Sequence, residues 1–240
     1  MQYTHAVLHR ALKQETLRWN LVPRNVTEAV DPPRLVKKEV QHLTLEQATA
    51  FLKVVSEDRF EALYVLAIST GLRRGELLGL KWVDVDLDRG VLSVQRALSP
   101  KGRTFHRPKN TKGRSVQLTP VAPEALKRYL VTQDEKRSRL EGRWQEQGLI
   151  FPSQVGTPMN PSNFINRSFK PLLKCAGLPS IRFHDLRHTF ASLMLSNGEY
   201  PKIVQEILGH AQISLTLDTY SHAIPSLQSG AVGRLGELLS

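Results

Sequence analysis

Residues 60–69, FEALYVLAIS, are apolar on nearly every side of a helical wheel. Such a helix has no face to give to water, so it belongs at the centre of the fold with other elements packed around it. The chain then runs straight into TGLRRGELLGLKW. Gly71 interrupts the apolar pattern, and Arg73, Arg74 and Glu76 follow at once. Charges emerging from the end of a buried helix either line a site or cap a surface turn, and the pattern leaves both open.

The rest of the chain supplies the shell. Residues 3–19 read as one amphipathic helix, and residues 20–42, with three prolines and many charges, as a linker. Thr44 and Gln47 have capping-box spacing and open a helix through Phe51 and Val55. From Val83 to Leu98 the period changes to two, with Asp-Arg-Gly at 88–90 as the turn of a hairpin. Residues 99–114 form a long basic loop, and residues 115–118 a third strand. Residues 120–144 read as a long, mostly charged helix, and residues 149–153 as a short buried segment. Asn160 and Pro161 form an N-cap and first helical position, opening a helix to Ala176 that Gly177 closes. Helices are expected at 184–196, at 201–208 up to Gly209, at 214–222 and at 226–240. The fold class expected is α+β, mainly helical, with a small antiparallel three-stranded sheet.

The net charge is +11, with an isoelectric point near 10.0. Phosphate neutralisation by lysine and arginine drives most nucleic-acid affinity, which makes nucleic acid the first candidate partner. A basic ribosome- or membrane-associated protein is the plainer alternative. No apolar run reaches the roughly 18 residues of a membrane span. There is no signal-peptide pattern, and the lone Cys175 suits a reducing compartment, so a cytoplasmic location without membrane contact is expected.

The densest chemistry lies in HDLRHTF, residues 184–190, read with LGH at 208–210 and Tyr220. Two arginines can each grip non-bridging phosphate oxygens with forked donors. Histidines can complete the cage or take a proton, and a tyrosine, with a free pKa near 10, needs such help to attack. Arg73, Lys109, His184, Arg187, His210 and Tyr220 together suit phosphoryl transfer, which asks mainly for positioning and charge stabilisation. The rival chemistry is zinc, since His184 and His188 are spaced i,i+4, but HDLRH lacks the glutamate of HExxH. Each histidine taken alone also fits a core or capping role. No carboxylate cluster suited to magnesium is visible, and no cofactor or metal is expected.

These motifs resemble those of the tyrosine recombinases, the family of phage integrases and of Xer-type and Cre-like enzymes. TGLRRGELLGLKW resembles the first arginine box, HDLRHTFAS the second, and LGHAQISLTLDTYSH the last, while KNTKGRSVQL resembles the lysine-bearing hairpin. The resemblance covers about residues 43–222. It implies Arg73, Arg187 and His210 as stabilisers of the transition state, Lys109 as general acid, His184 as general base and Tyr220 as nucleophile. Glu76 and His188 would support the site. Arg74, Lys101, Arg103, Arg107, Lys112 and Arg114 would contact DNA. It further implies a site-specific recombinase working through a 3′-phosphotyrosyl link on double-stranded DNA, as a tetramer on DNA or a monomer alone. Members usually carry a whole core-binding domain first. Residues 1–42 resemble only its end and linker, with residues 43–225 as catalytic domain and 226–240 as C-terminal helix, so a truncated chain is expected. The alternatives are a catalytically idle DNA-binding fragment or regulator, and a type IB topoisomerase-like relaxing activity.

Overall fold

The computed structural model describes residues 2–14, 19–20, 23–32, 41–102, 104–107, 113–220, 236 and 239. The chain divides into two compact units, Met1–Glu39 and Val40–Ser240. In the first, helix α1 (Gln2–Gln14) covers most of the helix expected at 3–19. The stretch expected to be linker contains a 3₁₀ turn, Val26–Ala29. Asn25 builds it, accepting from the Thr27 N–H at 3.2 Å and donating to the His9 carbonyl at 3.1 Å.

In the second unit, α2 (Leu45–Val55) opens on the expected capping box. Thr44 Oγ1 accepts from the Gln47 N–H at 3.3 Å, and Gln47 Oε1 accepts from the Thr44 N–H at 3.0 Å. Helix α3 (Glu61–Thr70) is the central one, with eight of its ten residues buried. It packs on α2, on α5 (Val121–Arg139) and on α8 (Asp185–Ser196). At its core Tyr64 stacks with Phe164 and Phe169 and meets the edge of Phe51. The buried Tyr64 hydroxyl is satisfied by Ser168 Oγ at 2.6 Å, as burying a phenol requires. Helix α4 (Arg74–Leu78) follows α3 after the Gly71 turn.

The sheet is smaller than its sequence alternation suggests. Strand β1 (Val85–Asp86) pairs with β2 (Val91–Val94), and β2 with β5 (Arg114–Gln117), all antiparallel. The residues before β1 form a 3₁₀ turn, Trp82–Asp84, where Asp84 accepts from the Lys81 N–H, and β1 is cut short at Asp86, which accepts from the Arg89 N–H in the turn that follows. Short acidic side chains that bond nearby backbone favour turns over strands. The basic stretch 99–114, expected as loop, contains a strand, β4 (Phe105–His106), which turns back on β3 (Ala97–Leu98), the end of the expected first hairpin, to make a second one. Helix α5 ends at Arg139, short of the expected Trp144, and Glu141 and Gly142 then adopt positive φ.

Asn160 caps α6 (Pro161–Phe164), accepting from the Ser162 and Asn163 N–H groups at 2.9 and 3.0 Å. The helix then widens to a π turn at Ile165–Phe169 before α7 (Lys170–Cys175), where a regular helix was expected. Pro171 explains it: the ring has no N–H for the carbonyl four residues back and presses against it. Helices α9 (Pro201–Leu208) and α10 (Ile213–Tyr220) complete the described core. The expected helix at 226–240 lies outside the described residues except at 236 and 239.

Gly71 closes α3 in the left-handed region, at φ +61. A Cβ there would lie 2.5 Å from Phe190 and 2.8 Å from Leu208. Gly71→Ala is therefore expected to lower stability by about 2–4 kcal/mol, from left-handed backbone and overpacking combined. Urea titration reads this as a lower midpoint at unchanged slope.

Candidate active site

The first turn of α8 is pinned by Asp185. Its buried carboxylate accepts from the Arg182 N–H at 2.7 Å and from the Arg182 guanidinium at 2.7 Å. An acid in the first turn also suits the positive end of the helix. With that turn set, His184, Arg187 and His188 fall at i, i+3 and i+4, on one helical face.

Arg187 points inward and is 2 % exposed. Its Nη1 donates to the Gly71 carbonyl and its Nη2 to the Leu208 carbonyl, each at 2.8 Å. Both carbonyls belong to helix C-termini, of α3 and α9, and each helix is closed by a left-handed glycine, Gly71 and Gly209. Orphan carbonyls and the negative ends of two helices thus face one buried cation. Burial, and then Arg73, push the Arg187 pKa down to about 9, so the guanidinium keeps its charge at neutral pH.

Glu76 organises the opposite wall. It is buried and accepts from the Arg73 N–H at 2.9 Å and from Arg73 Nη1 at 3.0 Å. Arg114 grips it with both terminal nitrogens, at 3.1 and 2.8 Å. The Nε of Arg114 donates to the Ile207 carbonyl at 2.8 Å, joining β5 to α9. Burial works to raise the Glu76 pKa, but Arg114 and the Arg73 N–H outweigh it and hold the carboxyl below its ordinary 4.5. Arg73, at the cap of α4, remains partly exposed.

His210 follows Gly209, and Gln205 fixes its backbone from both sides. The His210 N–H donates to the Gln205 carbonyl at 3.1 Å, and Gln205 Nε2 donates to the His210 carbonyl at 2.7 Å. Its ring Nδ1 lies 2.8 Å from Thr216 Oγ1. Burial, with Arg187 and Arg73, pushes the His210 pKa down to about 4. Tyr220, at the end of α10, is fully buried, with its hydroxyl 2.7 Å from His188 Nδ1. Burial pushes its pKa up to about 12, although Arg187 pulls the other way. The His188 pKa is pushed down to about 4 by burial and by His184, whose ring meets it edge-on at 5.1 Å. His184 stands at the rim, its own pKa lowered by partial burial and by Arg187.

Arg73, Glu76, His184, Arg187, His188, His210 and Tyr220 thus come together, from α4, α8, the turn after α9, and α10. Beside them opens a cavity of about 660 Å³ whose basic lining includes Arg73, Arg74, Lys170, Arg182 and His184. Lys101 and Arg107 are exposed on the β3–β4 hairpin. Arg103, Lys109 and Lys112 lie outside the described residues. Arg114, expected among the loop cations, has three of its donors committed to Glu76 and Ile207. Among the described residues no group of three or more His, Cys, Asp or Glu side chains is placed to hold a metal ion.

Residues 35–226 match the phage integrase family. The chain belongs to that family. A XerC-like tyrosine recombinase of Caldanaerobacter subterraneus subsp. tengcongensis is 32% identical over 223 residues, covering 86% of this chain and 56% of that protein. The tyrosine recombinase XerD of Halalkalibacterium halodurans is 32% identical over 219 residues, covering 89% and 67%. Among solved structures, the Tn1549 transposon integrase in complex with a circular-intermediate DNA shares the fold at a TM-score of 0.77 and 23% identity, over 97% of this chain and 78% of that one. XerA recombinase aligns at a TM-score of 0.64 and 27% identity, over 96% and 74%. The chain spans 56–67% of the two curated relatives named. The fold is therefore that of the tyrosine recombinase catalytic domain.

Within this phage integrase fold, several supporting residues carry no motif in the sequence. Thr189 accepts from the Leu43 N–H at 3.0 Å and donates to the Asp185 carbonyl, anchoring the segment before α2 to α8. Gln205 is a buried polar residue on an otherwise apolar helix face, between Val204 and Leu208. That placement is the only hint of its role.

Two outcomes follow from this geometry. His188 and His210 have folded pKa values near 4 against an ordinary 6.5, so the unfolded chain takes up their protons first. Their contribution to stability is complete above pH 6.5 and is lost as pH falls towards 4. Replacing either with Gln is expected to flatten that part of a stability-versus-pH curve measured by urea unfolding. Arg187→Ala leaves two buried carbonyls without donors and is expected to cost about 2–6 kcal/mol, at about 1–3 for each. The same titration at pH 7 measures it.

Proposed function

We propose that this chain is the catalytic part of a site-specific DNA recombinase that breaks and rejoins DNA through a 3′-phosphotyrosyl intermediate. The observation that carries the reading is the convergence of the Tyr220 hydroxyl, the buried Arg187, Arg73 and His210 on one small volume. Arg73 and Arg187 present guanidinium donors to the non-bridging oxygens of a phosphodiester, and His210 adds a third donor. Glu76 and Arg114 hold Arg73 in place. Tyr220 attacks phosphorus, the 5′-oxygen leaves with a proton supplied by Lys109, and the link conserves the bond energy for rejoining. His184, at the rim of the same site, is the proposed general base that takes the Tyr220 proton. Arg74, Lys101, Arg103, Arg107 and Lys112 are the proposed basic contacts along the DNA, whereas Arg114, expected among them, is bound to Glu76 and Ile207 and belongs to the frame of the site. The relatives named integrase or recombinase, one of them solved with DNA, support double-stranded DNA as the partner.

In this reading residues 43–225 form the catalytic domain, residues 1–42 the end of a core-binding domain with its linker, and residues 226–240 a C-terminal helix. Strand exchange takes four such protomers on DNA. No helix among the described residues is long and apolar enough to cross a membrane. A second reading, a DNA-binding regulator without turnover, has one observation in its favour: Tyr220 is fully buried and has to move to reach a phosphate.

The test is covalent trapping on nicked duplexes tiled across the genomic junctions that flank the coding sequence. The wild-type chain is expected to form a denaturation-resistant DNA adduct that Tyr220→Phe does not form. DNA retained without any adduct would favour the regulator instead.

A further inference from the structure

A second cavity, of about 330 Å³, opens between α5, α6 with its π turn, and the segment 152–160. Arg59 and Phe60, just before α3, line it, whereas the catalytic side chains gather past the other end of that helix. Ten helical residues span about 15 Å, so the two sites are separate. We infer that this cavity binds a nucleoside monophosphate, with the phosphate among Arg59, Lys136 and Arg167 and the base against Trp144 and Tyr129. The inference is independent of the recombinase reading.

Charge points to an anion. The lining carries three cations and no carboxylate. The cations come from three places: the turn before α3, helix α5 and the π turn. Neighbouring arginines of α5 are paired, Arg128 with Glu61 at 2.7 Å and Arg137 with Asp134 at 3.3 Å. Arg59, Lys136 and Arg167 have no carboxylate partner among the described residues. The Arg59 guanidinium lies instead over the Phe60 ring, 4.6 Å from its centre. Burial, and then Arg59, hold the Lys136 pKa below its ordinary 10.5. Two cations thus press on each other at the cavity, and an anion that enters relieves both.

The rest of the lining selects the class of anion. A carboxylate satisfies one forked guanidinium. A phosphate monoester brings a charge of about −1.5 to −2 and three acceptor oxygens, which suits three cations. Tyr129 is set against Phe151, with ring centres 5.3 Å apart, and the Trp144 indole donates to Glu146 at 3.1 Å. Both rings are therefore held in place, and aromatic faces accept any base by stacking. The Tyr129 hydroxyl and the side-chain amides of Gln154 and Asn163 have no hydrogen-bond partner among the described residues, which leaves them for a sugar or a base edge. The volume lies at the lower end of the range for small-molecule sites, about 300–1,000 Å³.

The experiment is isothermal titration of the full chain with AMP, GMP, CMP and UMP, and with adenosine and inorganic phosphate as the two halves of the ligand. At least one nucleotide is expected to bind saturably, one per chain, with a Kd below ~1 mM. Its nucleoside and inorganic phosphate are each expected to bind at least ~10-fold more weakly, since each forfeits one half of the site. Lys136→Gln combined with Arg167→Gln is expected to weaken nucleotide binding at least ~10-fold while unfolding within a few degrees of wild type, because both side chains are exposed. Arg167→Gln alone gives the same direction if the pair disturbs folding. Arg73→Gln, in the catalytic cavity, is expected to bind the nucleotide as the wild type does. No saturable binding of any of these nucleotides up to ~10 mM would overturn the inference. So would phosphate binding as tightly as the nucleotide, or affinity lost in Arg73→Gln and kept in the double variant.

Discussion

Two helices end against one guanidinium. The carbonyls of Gly71 and Leu208 would be orphans in a protein interior, and Arg187 satisfies both while its charge is balanced by the negative ends of α3 and α9. Much else depends on this contact. It sets how α8 lies against α3, and so where His184 and His188 emerge. It brings the turn after α9, with His210, close to the turn after α3, with Arg73. The same geometry favours a left-handed glycine at each helix end, because a Cβ at Gly71 would collide with Phe190 and one at Gly209 would crowd Arg114. A cation buried in this way is expensive to hold. Its retention at the centre of the site makes sense if its remaining donors face something anionic.

The electrostatics around Arg187 follow one logic. Arg73, Arg114 and Arg187 converge on a volume where Glu76 is the buried carboxylate, bonded to two of them. The histidines respond by staying neutral, and Tyr220 by staying protonated. The free site therefore holds its excess positive charge on arginines, which keep it at neutral pH. It is an anion-ready arrangement whose proton-transfer groups are uncharged until something enters.

What could be read from sequence was what single residues punctuate. Thr44 with Gln47, Asn160 with Pro161, and the glycines at 71 and 209 each act through their own backbone chemistry, so helix starts and stops were visible without neighbours. The order Arg73, His184, Arg187, His210, Tyr220 was equally visible, and the fold brings these residues together. Pairings across the chain were not. Arg114 with Glu76, Thr189 with Leu43 and Gln205 with His210 depend on tertiary contact or on one polar group in a buried row. The two-residue strands β3 and β4 carry too few positions to show a period. The π turn before Pro171 needed knowledge of which carbonyl the ring would crowd.

Arg114 has a mechanical side. It stands at the root of the basic segment leading from β4 into β5, and its side chain is bolted to α9, 93 residues further along the chain. Its other bolts run to Glu76 and through it to Arg73. The start of β5, the cap of α4 and the end of α9 are thus one bonded frame, and none of the three can shift without breaking a charge-assisted hydrogen bond.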